Sequence, residues 1–230
     1  MDRHISRLEN HTIVCGWGRV GKSVAHDLAA SGHSVVIVDI DGDRVRDLPY
    51  PTVVGDATLD ATLREAGIDN AKALIAALEG DAENLFVTLS GRSIRRDLFI
   101  VARARQDESV PKLERAGADR VVNPQELGAS RMASFVASPN VAEFIDVVMH
   151  ERSLEYRMQE MCLPAGSTLA GRTLREANLR EETGALVLAL RTPDGQFVTN
   201  PKGDSLLEPN HVIIAIGTND DLARLERLVL

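Results

Sequence analysis

The sequence predicts an α/β chain: a doubly wound parallel sheet, then a pair of helices, then a small α+β domain. Three observations predict it. Six short apolar runs alternate with helical segments between Thr12 and Val122, the pattern of a parallel sheet with helices on both faces. A glycine-spaced turn, Gly16, Gly18 and Gly21, follows the first run. Past His150 the alternation gives way to strand-like runs separated by Pro, Gly and Asn turns, which read as a second and smaller unit.

Taken in order, residues 1–11 form a polar lead-in, with Ile5 and Leu8 its only aliphatic side chains after Met1, and read as a short helix. Residues 12–125 carry the sheet. Ile13-Val14-Cys15 is the first strand, and Val24, Leu28 and the intervening alanines recur at helical spacing. Ser31-Gly32-His33 ends that helix, and Val35 to Val38 forms the second strand, closing on Asp39. Further strands are expected at 51–54, 72–77, 98–102 and 119–122, with helices at 41–48, 59–66, 81–90 and 110–116. Asp56 or Thr58 is positioned to cap the helix at 59–66, and Pro111 sits in the first turn of the last of these helices. Residues 126–150 read as two helices interrupted at Pro139-Asn140, with Val141, Phe144, Ile145 and Val148 on one face. That face suits either packing on its own domain or a dimer surface. Residues 151–230 hold strands near 154–163, 185–190, 196–199 and 212–216, and helices at 172–178 and 220–228.

Composition narrows the function. The 230 residues are 44% hydrophobic and 26% charged, with a formal net charge of −8 and only 3% aromatic residues. A negative chain with few stacking side chains repels nucleic acid and anionic lipid, so no nucleic-acid partner is expected. The basic run Arg92-Ser93-Ile94-Arg95-Arg96 reads as a solvated helix end. Cys15 and Cys162 both read as small core residues, and without a C-x-x-C or Cys/His cluster there is no zinc signature. Asp81, Glu83, Glu126 and His150 are scattered acidic or imidazole groups, most simply solvated. No apolar run approaches a membrane span and no signal peptide is evident. A cytoplasmic location is therefore expected, with a membrane protein still open as a partner.

The glycine turn has a specific chemistry. Strand, G-x-G-x-x-G, helix, second strand and terminal acid together make the Rossmann-type dinucleotide fingerprint. Gly16 permits the tight turn, Gly18 lets the backbone approach a pyrophosphate, and Gly21 lets helix and strand pack closely. The helix N-terminus offers free N–H groups to phosphate. Asp39 is placed to accept ribose hydroxyls and to repel a 2′-phosphate, which disfavours NADP. The strand ends at Gly16–Gly21, Asp39, Asp56-Ala57, Ala77 and Ala102-Arg103 are expected to converge on one crevice.

With these segments in hand, the whole chain resembles the cytosolic RCK/KTN module, the regulator-of-potassium-conductance family. HTIVCGWGRVG, VVGDAT, ALIAALEGDAEN and VARARQDESVPKLERAGADRVVNP carry the likeness in the first part. P-x-G-S-x-L-x-G-x-T-L from Pro164 to Leu174, GALV from Gly184 and the final VIIAIGT carry it in the second. The resemblance implies a Rossmann-like sheet followed by crossover helices and a small α+β C-terminal domain. It implies a ligand-sensing gating module at the inner face of the membrane, pairing as a homodimer and assembling into an octameric ring. The partner would be a potassium channel pore or a transporter membrane subunit. Either a separately made subunit or the cytosolic part of a channel fits the likeness.

By the family pattern, Gly16, Gly18, Arg19 and Val20 face the phosphates, Asp39 takes the ribose, and Ile40, Asp56 and Ala57 border the adenine. Ala77 and Arg103 close the other side. NAD(H) is the expected ligand, with ATP, ADP or AMP as alternatives. Arg19 otherwise reads as a solvated helix-end charge. Calcium-gated members carry carboxylates where this chain has Ala77, Arg103 and Arg105, so that calcium site is not expected here. The fingerprint alone fits an NAD-dependent oxidoreductase equally, but no acid/base constellation accompanies it. A purely structural module with a vestigial crevice is the remaining reading.

Overall fold

The structure, a computed structural model, describes residues 5–150 and 156–230. Met1–His4, Leu154 and Glu155, and the side chains of Val148 and His150, lie outside the described residues. The chain divides into two compact units, Met1–Arg131 and Met132–Leu230.

The first unit is built on a six-stranded, all-parallel sheet. Its elements are β1 (Thr12–Cys15), α1 (Arg19–Ala30), β2 (Val35–Asp39), α2 (Gly42–Val45), β3 (Thr52–Val54), α3 (Asp60–Glu65), β4 (Ala73–Ala76), α4 (Asp81–Ile94), β5 (Phe99–Arg103), α5 (Val110–Arg115) and β6 (Arg120–Val122). The strand order is β3-β2-β1-β4-β5-β6. Thr12 of β1 pairs with Val35 on one side and with Ala73 on the other, so strand order reverses at β1. A crevice opens at such a reversal because successive crossovers leave to opposite faces. Every residue of β1 and β2 is buried, which is why these runs are apolar throughout rather than alternating. Ile13, Cys15, Val36 and Val38 pack into one core layer with Leu74, Ala76 and Ile100. Val14, Val35 and Ile37 point to the other face, against Ala25 of α1, Trp17 and Val45.

Two helices follow, α6 (Pro124–Ala137) and α7 (Pro139–His150), and the boundary between the units falls inside α6. They expose Leu127, Met132, Val136, Val141, Phe144 and Ile145. The second unit contains β7 (Tyr156–Cys162), α8 (Leu174–Ala177), α9 (Leu179–Thr183), β8 (Leu186–Arg191), β9 (Phe197–Thr199), β10 (Val212–Thr218) and α10 (Asn219–Val229). Its antiparallel sheet has the order β7-β10-β8-β9. Leu222, Leu225 and Val229 of α10 pack with Met161, Leu190, Ile213 and Ala215. Thr173 and Thr218 open α8 and α10 with reciprocal capping boxes.

Four expectations change. Among its described residues the lead-in forms a 3₁₀ turn at Ile5–Arg7, anchored by the buried Ile5. Neither Asp56 nor Thr58 caps α3: its N-cap is Leu59, and Asp56 instead accepts the Thr58 N–H and hydroxyl in a local turn. The helix expected at 172–178 is α8, and an unexpected second helix, α9, follows it directly, because Asn178 turns left-handed at φ +46° between them. Cys162 is exposed rather than buried, at the end of β7.

The basic run is not merely solvated either. Arg92 donates to the Gly117 carbonyl and pairs with Asp119 at 2.7 Å. Arg95 donates to the carbonyls of Asp69 and Ala71 and pairs with Asp97. Both cations therefore tie down loops.

The two thiols should differ sharply. Burial pushes the Cys15 thiol up to about 12, because no charge or donor there stabilises the thiolate. A disulfide reagent at pH 8 is expected to titrate one thiol per native chain and two after denaturation. A native count of two would contradict the β1 packing.

Candidate functional site

The carboxyl ends of the parallel strands surround a cleft of about 1170 Å³, larger than most small-molecule pockets. Ten of the expected site residues line it: Gly16, Gly18, Arg19, Val20, Asp39, Ile40, Asp56, Ala57, Ala77 and Arg103. Gly21 does not. It lies beneath the turn, where an added Cβ would sit 1.8 Å from the Gly16 carbonyl oxygen. Its role is packing, as the spacing argument gave it, and not ligand contact.

The turn is held by backbone geometry. Gly16 has φ +102°, and a Cβ there would meet the Ala77 carbonyl oxygen at 2.9 Å. Gly18 is different. Its backbone is extended, and a Cβ there would meet nothing within 4 Å. The fold does not require glycine at 18, and the space a side chain would take belongs to the cleft. Gly18 is also the N-cap of α1, with no side chain bonded to the helix's first N–H groups. Those donors and the positive end of the dipole face the cleft beside Arg19. A nucleotide phosphate fits this cradle.

Asp39, only 6% exposed, ends β2. One carboxylate oxygen accepts the Trp17 N–H at 2.6 Å and the other the Asp41 N–H at 2.9 Å. The group expected to accept ribose hydroxyls thus also anchors the glycine turn. Each oxygen keeps acceptor capacity beyond its one backbone bond. Asp56 lies at the neighbouring wall, its carboxyl held below the ordinary range by the Thr58 hydroxyl and N–H.

The opposite wall is held by side chains. Asn84 of α4 is fully buried; its Oδ1 accepts the Leu78 N–H at 2.9 Å. Its Nδ2 donates to the carbonyls of Leu78 at 3.2 Å and Arg103 at 2.9 Å. Arg103 Nη1 donates to the same Leu78 carbonyl at 3.1 Å, while its buried Nε has no partner. Asp81 accepts the N–H groups of Arg105 and Gln106. Burial works against its charge, but the Ser109 hydroxyl and these N–H groups outweigh it and lower its pKa. Asn123 Oδ1 accepts the N–H groups of Gln125 and Glu126 at the start of α6, and its Nδ2 donates to Asp107 at 3.0 Å.

Sequence reasoning missed part of the lining. Lys22 and Arg44 add cationic charge on the α1–α2 side, and Glu79, Glu83 and Phe86 belong to the β4–α4 side. Pro124 and Gln125, the first residues of α6, also reach the cleft. A basic residue one helical turn after Gly18 was a readable signal for Lys22. Arg44 and Phe86 come from segments whose facing direction the sequence pattern does not encode. Among the described residues, no three His, Cys, Asp or Glu side chains group as a metal site. No described helix is long and apolar enough to cross a membrane.

Residues 12–124 match the TrkA-N domain model and residues 158–230 the TrkA-C domain model. The chain belongs to the RCK (TrkA) family. It is 36% identical to a probable potassium channel protein 2 of Methanocaldococcus jannaschii, over all of this chain and 69% of that protein. It is 29% identical to Ktr system potassium uptake protein C of Bacillus subtilis, over 94% of this chain and 96% of the other. The solved GsuK channel bound to NAD is 28% identical with a TM-score of 0.53, covering 97% of this chain and 39% of that one. GsuK bound to ADP is 34% identical with a TM-score of 0.51, over 57% of this chain and 35% of that chain. This RCK chain thus spans about two thirds of the Methanocaldococcus jannaschii channel protein and 39% of the NAD-bound GsuK chain.

Gly18→Asp should fold with stability within about 0.5 kcal/mol of the unmodified chain, yet lose nucleotide affinity at least about a hundredfold by calorimetry, because it fills and charges the phosphate cradle. Gly21→Ala should cost roughly 3 kcal/mol or prevent folding, read by urea denaturation. The Asp81 clamp has a pH signature. Its folded pKa is lowered, so its contribution is full above about pH 4 and is lost as pH falls through the folded value. Asp81→Asn should destabilise at pH 7, and the gap in urea midpoint should shrink below pH 4.

Proposed function

We propose that this RCK chain is a non-catalytic sensor that binds NAD(H) in the cleft and controls potassium flux through a membrane partner. The observation that carries the reading is the Gly18 cradle: an uncapped helix N-terminus and an open glycine that the fold itself does not need. In this reading Gly16, Gly18, Arg19 and Val20 hold the phosphates, and Asp39 takes the adenosine ribose. Ile40, Asp56 and Ala57 border the adenine, and Ala77 and Arg103 close the far side. The potassium channel and uptake proteins among the relatives support the membrane partner. The NAD-bound and ADP-bound forms of GsuK support the ligand class.

The exposed apolar side chains of α6 and α7 support pairing between copies. Pairs of this kind would close as an octameric ring on the cytoplasmic side of the membrane protein. The ligand then biases the ring only through its difference in affinity between two ring shapes.

Calorimetric titration with NAD, NADH, ATP, ADP and AMP tests the reading. Saturable binding of NAD or NADH without hydride transfer is expected. No binding of any of the five at millimolar concentration would remove the ligand assignment, and sustained turnover would make the chain an oxidoreductase.

A further inference from the structure

We infer that Asn84, which does not itself reach the cleft, is a positioning residue that aims Arg103 at the distal half of a dinucleotide. The inference rests on the nucleotide reading above and deepens it.

Both ends of Arg103 are referenced to one buried amide. Its main-chain carbonyl accepts from Asn84 Nδ2 at 2.9 Å. Its guanidinium Nη1 donates to the Leu78 carbonyl at 3.1 Å, and Leu78 is in turn held by Asn84 through both its N–H and its carbonyl. Asn84 is itself fixed: its N–H donates to the Gly80 carbonyl, and its carbonyl accepts the Thr88 hydroxyl at 2.7 Å. The side chain is fully buried, so water does not compete for these bonds. These bonds use one N–H of the Arg103 guanidinium, and its Nε is buried without a partner.

Arg103 lines the cleft, and the guanidinium has five N–H donors, so donors remain for an oxygen of a ligand there. Since the guanidinium is already held, an oxygen of the ligand gains a charge-assisted bond without ordering a free arginine. The acceptor must lie on the Ala77–Arg103 side, away from the Asp39 and Asp56 walls that take the adenosine. AMP, with one phosphate on the glycine turn, ends before Arg103. The second phosphate or distal ribose of NAD extends to it. Asn84 thereby sets discrimination between a dinucleotide and a mononucleotide.

The test compares NAD and AMP affinities of the whole chain for the unmodified protein, Asn84→Ser, Arg103→Met and the double variant. Asn84→Ser should weaken NAD about tenfold and leave AMP within about twofold. The double variant should bind NAD no more weakly than Arg103→Met alone, since both changes remove one interaction. Equal losses for NAD and AMP, or additive losses in the double variant, would assign Asn84 a merely structural role and overturn the inference. If Asn84→Ser does not fold, amide exchange at Leu78 in the unmodified chain decides. Slowing by NAD but not by AMP is expected, and an equal response overturns. An unmodified chain that binds neither nucleotide defeats the nucleotide reading and this inference together. One that binds both, with NAD affinity unchanged in Asn84→Ser, defeats the inference alone.

Discussion

The cleft depends on one buried carboxylate. Asp39 is taken almost entirely out of water, and its two oxygens accept the N–H groups of Trp17 and Asp41. Bonds of this kind are shorter and stronger than neutral ones, and removing the carboxylate would leave two donors stranded. The Trp17 bond fixes how far the glycine turn stands above the end of β2. Given that distance, the rest follows from steric exclusion: α1 must start immediately, Gly21 must lie against Gly16, and Gly16 must pass over Ala77. A single acid thus shapes the glycine turn and keeps acceptor capacity on the cleft it lines.

The two walls of the cleft are held in different ways. On the glycine side the restraint is backbone against backbone, which leaves little room for adjustment. On the other side it is side chain to backbone, through Asn84, Asp81 and Asn123. Such bonds can exchange partners without unfolding a strand. The second wall also includes the first residues of α6. A ligand spanning the cleft therefore meets one rigid face and one face whose hydrogen bonds have alternatives. That asymmetry suits a sensor, since the ligand needs a structural element with two arrangements to bias.

Much of this was legible in the residues. The parallel sheet announced itself because both faces of β1 and β2 are covered, so the strands read as unbroken apolar runs. Nine of the ten cleft residues lie at strand ends or in the glycine turn, positions dictated by the backbone path, while Ile40 came only from the family likeness. What escaped notice depended on facing direction or on long-range pairing. Asn84 looks like any polar residue in the first turn of a helix, and only its reach across two strand ends shows otherwise. Cys162 sits in an apolar context, yet it falls on the exposed face at the end of β7. The break at Asn178 between α8 and α9 is a left-handed turn that asparagine tolerates but does not announce.

Trp17 stands between the anchoring acid and the open glycine, and it is the chain's one tryptophan. Its indole lies within 6 Å of the His26 and Tyr50 rings, and the Lys22 ammonium sits over its face at 5.8 Å. The emission of an indole responds to nearby charge, and here both a cation and an imidazole are its neighbours. The protein thus carries its own optical probe at the mouth of the cleft, free of background from any second indole. An anion drawing Lys22 away would alter that emission directly, so occupancy can be followed in real time on unlabelled protein.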